Sequence, residues 1–237
     1  MNPPKRKAGP TGIGARKVSK IEMKLRFTKL AIFLAALIPL ERLVWKALHD
    51  GLGANPIEVI THSTGDWTLI LVLTTLSITP LRRITRQYWL IGVRRMIGLF
   101  VFFYATLHFL TYIWLDKFFN VHEMVKDIAK RPFITVGFSA FVLLIPLALT
   151  STAGSIRRLG GKNWQRLHRL IYATGILAVV HYTWLVKADL HKPIEYGVVL
   201  SLLFLYRVGV WVSEKTSEKA SQKSKPNALP APARNPL

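Results

Sequence analysis

The chain has 237 residues, room for one or two domains; 51% are hydrophobic, seven are Trp, mean hydropathy is +0.29 and the formal net charge is +21. The charge falls in short basic runs between long apolar segments, so a pI near 10.6 points to a membrane protein rather than to a nucleic-acid binder. With no cysteine, disulfides, iron–sulfur clusters, covalently attached heme c and Cys-ligated zinc are excluded, which leaves histidine as the soft-metal ligand.

Residues 1–26 are basic and carry no apolar periodicity, so they are expected to form a disordered cytoplasmic tail. No small-residue cleavage site follows the first apolar run, and a cleavable signal peptide is not expected. A spanning helix needs roughly 20 apolar residues. Six segments approach that length: Phe27–Leu48, Thr64–Pro80, Arg95–Leu115, Phe133–Thr150, Leu167–Val186 and Ile194–Val212. The fold class expected is therefore an all-α integral membrane protein, a six-transmembrane-helix bundle over residues 27–212.

The punctuation agrees with this division. Gly51–Pro56 reads as a turn, Ser63 or Thr64 as a cap for the second helix, and Pro80 as its end. Pro132 and Pro193 suit helix starts, whereas Pro146 is expected to kink the fourth helix. The polar stretch around Asn120–Asp127 reads as a linker or a short interfacial helix. Segments 1–29, 81–95, 151–166 and 213–237 hold 23 Lys and Arg, against 7 in 46–63, 115–132 and 187–193. Both termini are thus expected on the cytoplasmic side, with 213–237 a second disordered tail.

Two histidines lie inside apolar segments. Thirteen residues at about 1.5 Å each place His108 about 20 Å above Arg95, and His181 sits the same distance above His168. Imidazoles at one depth on neighbouring helices can hold iron from both faces of a porphyrin, an arrangement that leaves no oxygen site and makes an electron carrier. The plainer alternative is that each is a hydrogen-bonded helix contact. His168 lies at the inner edge, roughly 140° around the helix from His181. A second heme below the first would need a partner on the third helix, but the residue fourteen before His108 is Arg94. Arginine suits a heme propionate or a flavin phosphate, and Arg94, Arg95 and Arg166 are candidates for that role beside His168. His62 is expected to bond at the start of the second helix, and His49, His122 and His191 to lie in exposed loops.

Several stretches together resemble one family. They are Gly51-Leu-Gly-Ala-Asn-Pro56, Ser77-Ile-Thr-Pro-Leu-Arg82, Val93-Arg-Arg-Met-Ile-Gly-Leu99 with His108, and Trp164-Gln-Arg-Leu-His168 with His181-Tyr-Thr-Trp184. In this order, across residues 27–212, they are similar to the MsrQ (YedZ) family of the ferric-reductase-like transmembrane superfamily. The resemblance implies a heme b subunit of the bacterial inner membrane. Such a subunit passes electrons from the quinone pool or a cytosolic flavin reductase to MsrP, a periplasmic molybdopterin enzyme that reduces protein methionine sulfoxide. It also implies an FMN, and His108, His168 and His181 as the candidate heme histidines. Arg94 departs from the two-heme members of the superfamily, which carry a second histidine there. No G-x-G-x-x-G follows a strand-like run, so electrons are expected from another molecule. The alternatives are a stand-alone ferric or quinone-linked reductase, and a non-redox transporter or assembly protein.

Overall fold

The computed structural model describes residues 12–186 and 189–223, and every element among them is helical. In chain order the helices are α1 (Gly12–Leu48), α2 (Pro56–Thr85), α3 (Leu90–Leu110), α4 (Val121–Lys130), α5 (Pro132–Leu149), α6 (Ala153–Leu159), α7 (Gly161–Leu167), α8 (Leu170–Leu185) and α9 (His191–Lys223). α3 continues into a π-helical stretch, Thr111–Asp116. Among the described residues four helices are long and apolar enough to cross a membrane: Pro56–Thr85, Leu90–Asp116 (α3 with its extension), Pro132–Leu149 and His191–Ala220. α8 has 16 residues, about 24 Å at the helical rise, a turn short of a bilayer core of about 30 Å.

Several boundaries differ from expectation for local chemical reasons. α2 starts at Pro56 rather than Thr64, because Asn55 accepts the Glu58 N–H at 3.4 Å, Pro56 loses no hydrogen bond in the first turn, and Glu58 meets the positive helix end. Thr64 is no cap; its hydroxyl donates to Ile60 O within α2 at 2.8 Å. Pro80 does not end the helix either. It lacks the N–H that Leu76 O would accept, and Arg207 Nη2 on α9 donates to that carbonyl at 2.6 Å. The orphaned group is thereby satisfied, and α2 runs on to Thr85, where Arg86 takes a left-handed conformation (φ 57°). Residues 12–26 and 213–223, expected as tails without structure, extend α1 and α9; both stretches are rich in helix formers and free of proline. Residues 1–11 and 224–237 lie outside the described residues. The polar linker is a true helix, α4, whose N-cap Asn120 accepts the Glu123 N–H at 3.2 Å.

α2 packs along α3 and α5 along α8, and these two pairs meet through α3 with α5 and α2 with α8. At the centre Val72, Leu76 and Val101 are fully buried, with Tyr104, Leu144 and Ile171 beside them. Among lipid-facing helices apolar transfer adds little, so close contact rests on dispersion and on small residues that let helices approach. Gly175 is one such point: Leu76 and Leu200 both lie 3.4 Å from where its Cβ would be. Leu202, Leu205, Trp211 and many other large apolar side chains on α9 and α1 face outward, as in a multi-pass membrane protein.

Candidate functional site

His108 stands in the last turn of α3 and His181 one turn before the end of α8, so the packing of the two helix pairs brings them together. Their ring centroids are 6.1 Å apart and the rings are nearly perpendicular, at 77°. Each ring is held by its Nδ1. His108 Nδ1 donates to Thr61 O on α2 at 3.0 Å, with Thr64 Oγ1 at 3.4 Å; His181 Nδ1 donates to Phe133 O on α5 at 2.7 Å. A carbonyl only accepts, so both Nδ1 atoms carry the hydrogen and both Nε2 atoms keep a lone pair. Both rings line one cavity of about 340 Å³, walled by Leu69, Val72, Phe109, Phe141, Leu144 and Ala178. The expected matched depth of the two imidazoles thus appears as direct proximity.

This donor set narrows the chemistry. No group of three or more His, Cys, Asp or Glu suited to a metal ion occurs among the described residues. A bare zinc ion needs about four ligands and would be poorly served by two. A planar macrocycle supplies its own equatorial donors and asks the protein for two axial nitrogens only. Two metal–nitrogen bonds of about 2 Å each, plus the half-width of each ring, fit the observed centroid gap. The apolar walls also suit a flat, largely apolar group. At the mouth the cavity turns polar, with His62, Asp66, Asp116 and Arg131 on its lining. The hydroxyl of Tyr112, another lining residue, is buried without a hydrogen-bond partner among the described residues. A buried hydroxyl in that condition is costly unless a bound group completes it.

The remaining candidates lie elsewhere. His168 caps α7, stacks on Trp164 at 3.9 Å and meets Thr150 Oγ1 through Nε2 at 3.1 Å, away from the cavity lining. Arg94 turns partly inward and donates to Thr79 Oγ1 at 3.3 Å, whereas Arg95 and Arg166 are exposed. His62 sits inside α2, 4.0 Å from Glu58, and reaches the cavity mouth, which its expected place at a helix start did not suggest. His49 stacks on Trp45, and His122 and His191 are exposed. Sequence reasoning missed Gly65, Gly137, Tyr112 and Arg131. A glycine inside an apolar helix is itself a signal of close approach, and both glycines carry it.

Comparison with known proteins agrees with this geometry. The ferric reductase like transmembrane component family matches residues 64–179. The heme-binding subunit MsrQ of the protein-methionine-sulfoxide reductase of Herminiimonas arsenicoxydans is 56% identical over 82% of this chain and 90% of its own length. The subunit of the same name from Ralstonia nicotianae is 54% identical over 79% of this chain and 87% of its own. That from Xanthomonas campestris pv. campestris is 45% identical over 90% of this chain and all of its own length. The chain belongs to the MsrQ family. No solved structure matches. In this MsrQ-family chain the ferric-reductase match includes Gly65, His108, Gly137 and His168 and ends two residues before His181. The pairing of the second imidazole with the first therefore rests on their shared cavity.

Proposed function

We propose that this chain carries a b-type heme between α3 and α8 and passes electrons across the bacterial inner membrane to a periplasmic methionine-sulfoxide reductase subunit of the MsrP kind. The observation that carries the reading is the pair of imidazoles sharing one apolar cavity, each with its Nδ1 spent on a carbonyl and its Nε2 free. His108 and His181 would hold the heme iron, and their carbonyl bonds keep both rings in the tautomer with Nε2 free for it. When bound, the heme would supply a one-electron change of iron valence, and two protein imidazoles on the iron would leave oxygen no site. The walls from Leu69 to Ala178 exclude water. Tyr112 and Arg131, both lining the cavity, would serve as donors for the carboxylate groups of the porphyrin.

The surplus of Lys and Arg in alternate connections supports six crossings with both ends in the cytoplasm. In that orientation the cavity lies in the outer half of the membrane. Arg94, Arg95, Arg166 and His168 then form the cytoplasmic end, suited to a flavin phosphate such as that of FMN and to electrons from the quinone pool or a flavin reductase. Segments 46–63, 115–132 and 187–193 are the candidates for contact with the periplasmic partner.

The test is an absorption spectrum of the detergent-purified protein, oxidised and then dithionite-reduced, beside His108→Ala and His181→Ala. A sharp Soret band with split reduced α and β bands, lost in both variants, is the expected result. A colourless wild type after expression with ample heme would overturn the reading.

A further inference from the structure

The support beneath the two imidazoles is built twice in the same way. On α2, Gly65 lies one turn beyond Thr61, whose carbonyl accepts from His108; on α5, Gly137 lies one turn beyond Phe133, whose carbonyl accepts from His181. A Cβ at Gly65 would stand 3.0 Å from His108 Cε1 and 3.2 Å from its Nδ1. At Gly137 it would stand 2.6 Å from His181 Nδ1 and 2.7 Å from its Cε1. Carbon atoms in ordinary contact lie about 3.5–4.0 Å apart, so an alanine at Gly137 would displace the His181 ring, and one at Gly65 would require the His108 ring to give way slightly. The spacing also repeats: Phe133 follows Thr61 by 72 residues, Gly137 follows Gly65 by 72, and His181 follows His108 by 73.

The reason for glycine is local. In an α-helix the carbonyl of residue i already accepts from the N–H of i+4, and only its second lone pair is open, to the side. The Cβ of i+4 tilts back toward the helix N-terminus and lies on the same face as residue i. That side chain stands where an approaching imidazole must lie. Glycine is a poor helix former, and within an apolar span it gives up packing as well. At these two positions its missing Cβ opens the carbonyl one turn earlier.

We propose that Gly65 and Gly137 are a matched pair of positioning residues. Each serves as a seat on which a ligand imidazole lies flat enough to donate Nδ1–H to the carbonyl four residues back. The seats fix both ring planes and decide which nitrogen of each ring faces the cavity. The two seats come from the two helix pairs that meet around the cavity. The inference rests on the reading of His108 and His181 as axial ligands of a heme.

The experiment compares wild type with Gly65→Ala, Gly137→Ala and Gly98→Ala, the last at a position whose nearest side-chain atom is Thr75 Cγ2 at 4.0 Å. Each is purified in detergent and checked for monodispersity and helix content. Heme per chain, the low-spin electron paramagnetic resonance spectrum of the oxidised protein and the midpoint potential are then read. Supporting partners of metal ligands are typically worth about 10–100-fold in affinity, and heme retention in Gly137→Ala is expected to fall by about that factor. Gly65→Ala, with the looser clash, is expected to keep heme but with shifted resonance positions and potential, while Gly98→Ala matches wild type. Should Gly137→Ala fail to accumulate, Gly65→Ala decides alone: a wild-type spectrum and potential in that folded variant overturns the proposal. A loaded wild type with unaltered glycine variants overturns the seats only, whereas a heme-free wild type overturns the functional reading beneath them.

Discussion

The bundle holds two histidine-bearing polar sites, that of His108 and His181 and that of His168, called outer and inner after the proposed orientation, and they are built to opposite plans. In the outer site two rings face one cavity, both anchored through Nδ1 to carbonyls, so both Nε2 atoms are free. In the inner site Thr150 Oγ1 donates its only hydrogen to Pro146 O at 2.6 Å and can only accept from His168 Nε2–H. The nitrogen that is free outside is engaged inside, and the nearby charged group is Arg94, which cannot ligate a metal. A histidine at membrane depth is thus not in itself a ligand; the partner of its other nitrogen decides. The comparison breaks most sharply on substitution. His108→Ala and His181→Ala are expected to lose essentially all bound heme, and His168→Ala to keep wild-type heme per chain and wild-type reduced bands. A halved heme content in His168→Ala would mean that the inner histidine also ligates and that the two ends are alike after all.

A smaller effect is expected at the mouth of the outer cavity. Tyr112 has a buried hydroxyl without a protein partner, and the inner site has no such group among the described residues. If that hydroxyl donates to a porphyrin carboxylate, Tyr112→Phe removes a hydrogen bond to a charged group, worth about 1.5–3 kcal/mol. The ligands are untouched, so the spectrum should stay bis-histidine while heme transfers to excess apomyoglobin at least about tenfold faster, as about 1.4 kcal/mol per decade requires. An unchanged transfer rate would place the carboxylates elsewhere.

Much of this organisation was legible in the sequence. Apolar run lengths gave the long helices, and counting along α3 and α8 put His108 and His181 at one depth. The sequence could not show what lies across a helix contact. Pro80 looked like a helix end because the donor that rescues it, Arg207, is 127 residues further along and meets α2 only in the packed bundle. Gly65 and Gly137 carry a general signal of close approach, but what approaches them is an imidazole about 44 residues away on another helix, which the sequence does not show. Asn55, by contrast, is a purely local signal, a helix cap at the end of the Gly51–Pro56 stretch that otherwise has the composition of a turn.

The smallest expected effect concerns the lid of the outer site, where α4 meets the end of α3. Lys117 Nζ lies 2.6 Å from the Asp127 carboxylate and 3.4 Å from that of Asp116, and Arg131 Nε lies 3.5 Å from Asp127. The hydrogen bond from Lys117 holds the Asp127 carboxyl below its ordinary value of 3.8, and the same bond raises Lys117 above 10.5. Asp127 therefore contributes stability that is fully present above pH 3.8 and is lost as pH falls through its lower folded value. Lys117 contributes stability that is fully present below pH 10.5 and is lost as pH rises through its higher folded value. Between the two the pair adds a constant amount, so neutral-range pH should not move it. Comparing thermal unfolding of wild type and Asp127→Asn in detergent, the gap between them should be level from about pH 5 to 9 and should close in acid. A gap that persists undiminished at the most acidic pH would show that Asp127 holds α4 by packing rather than by charge.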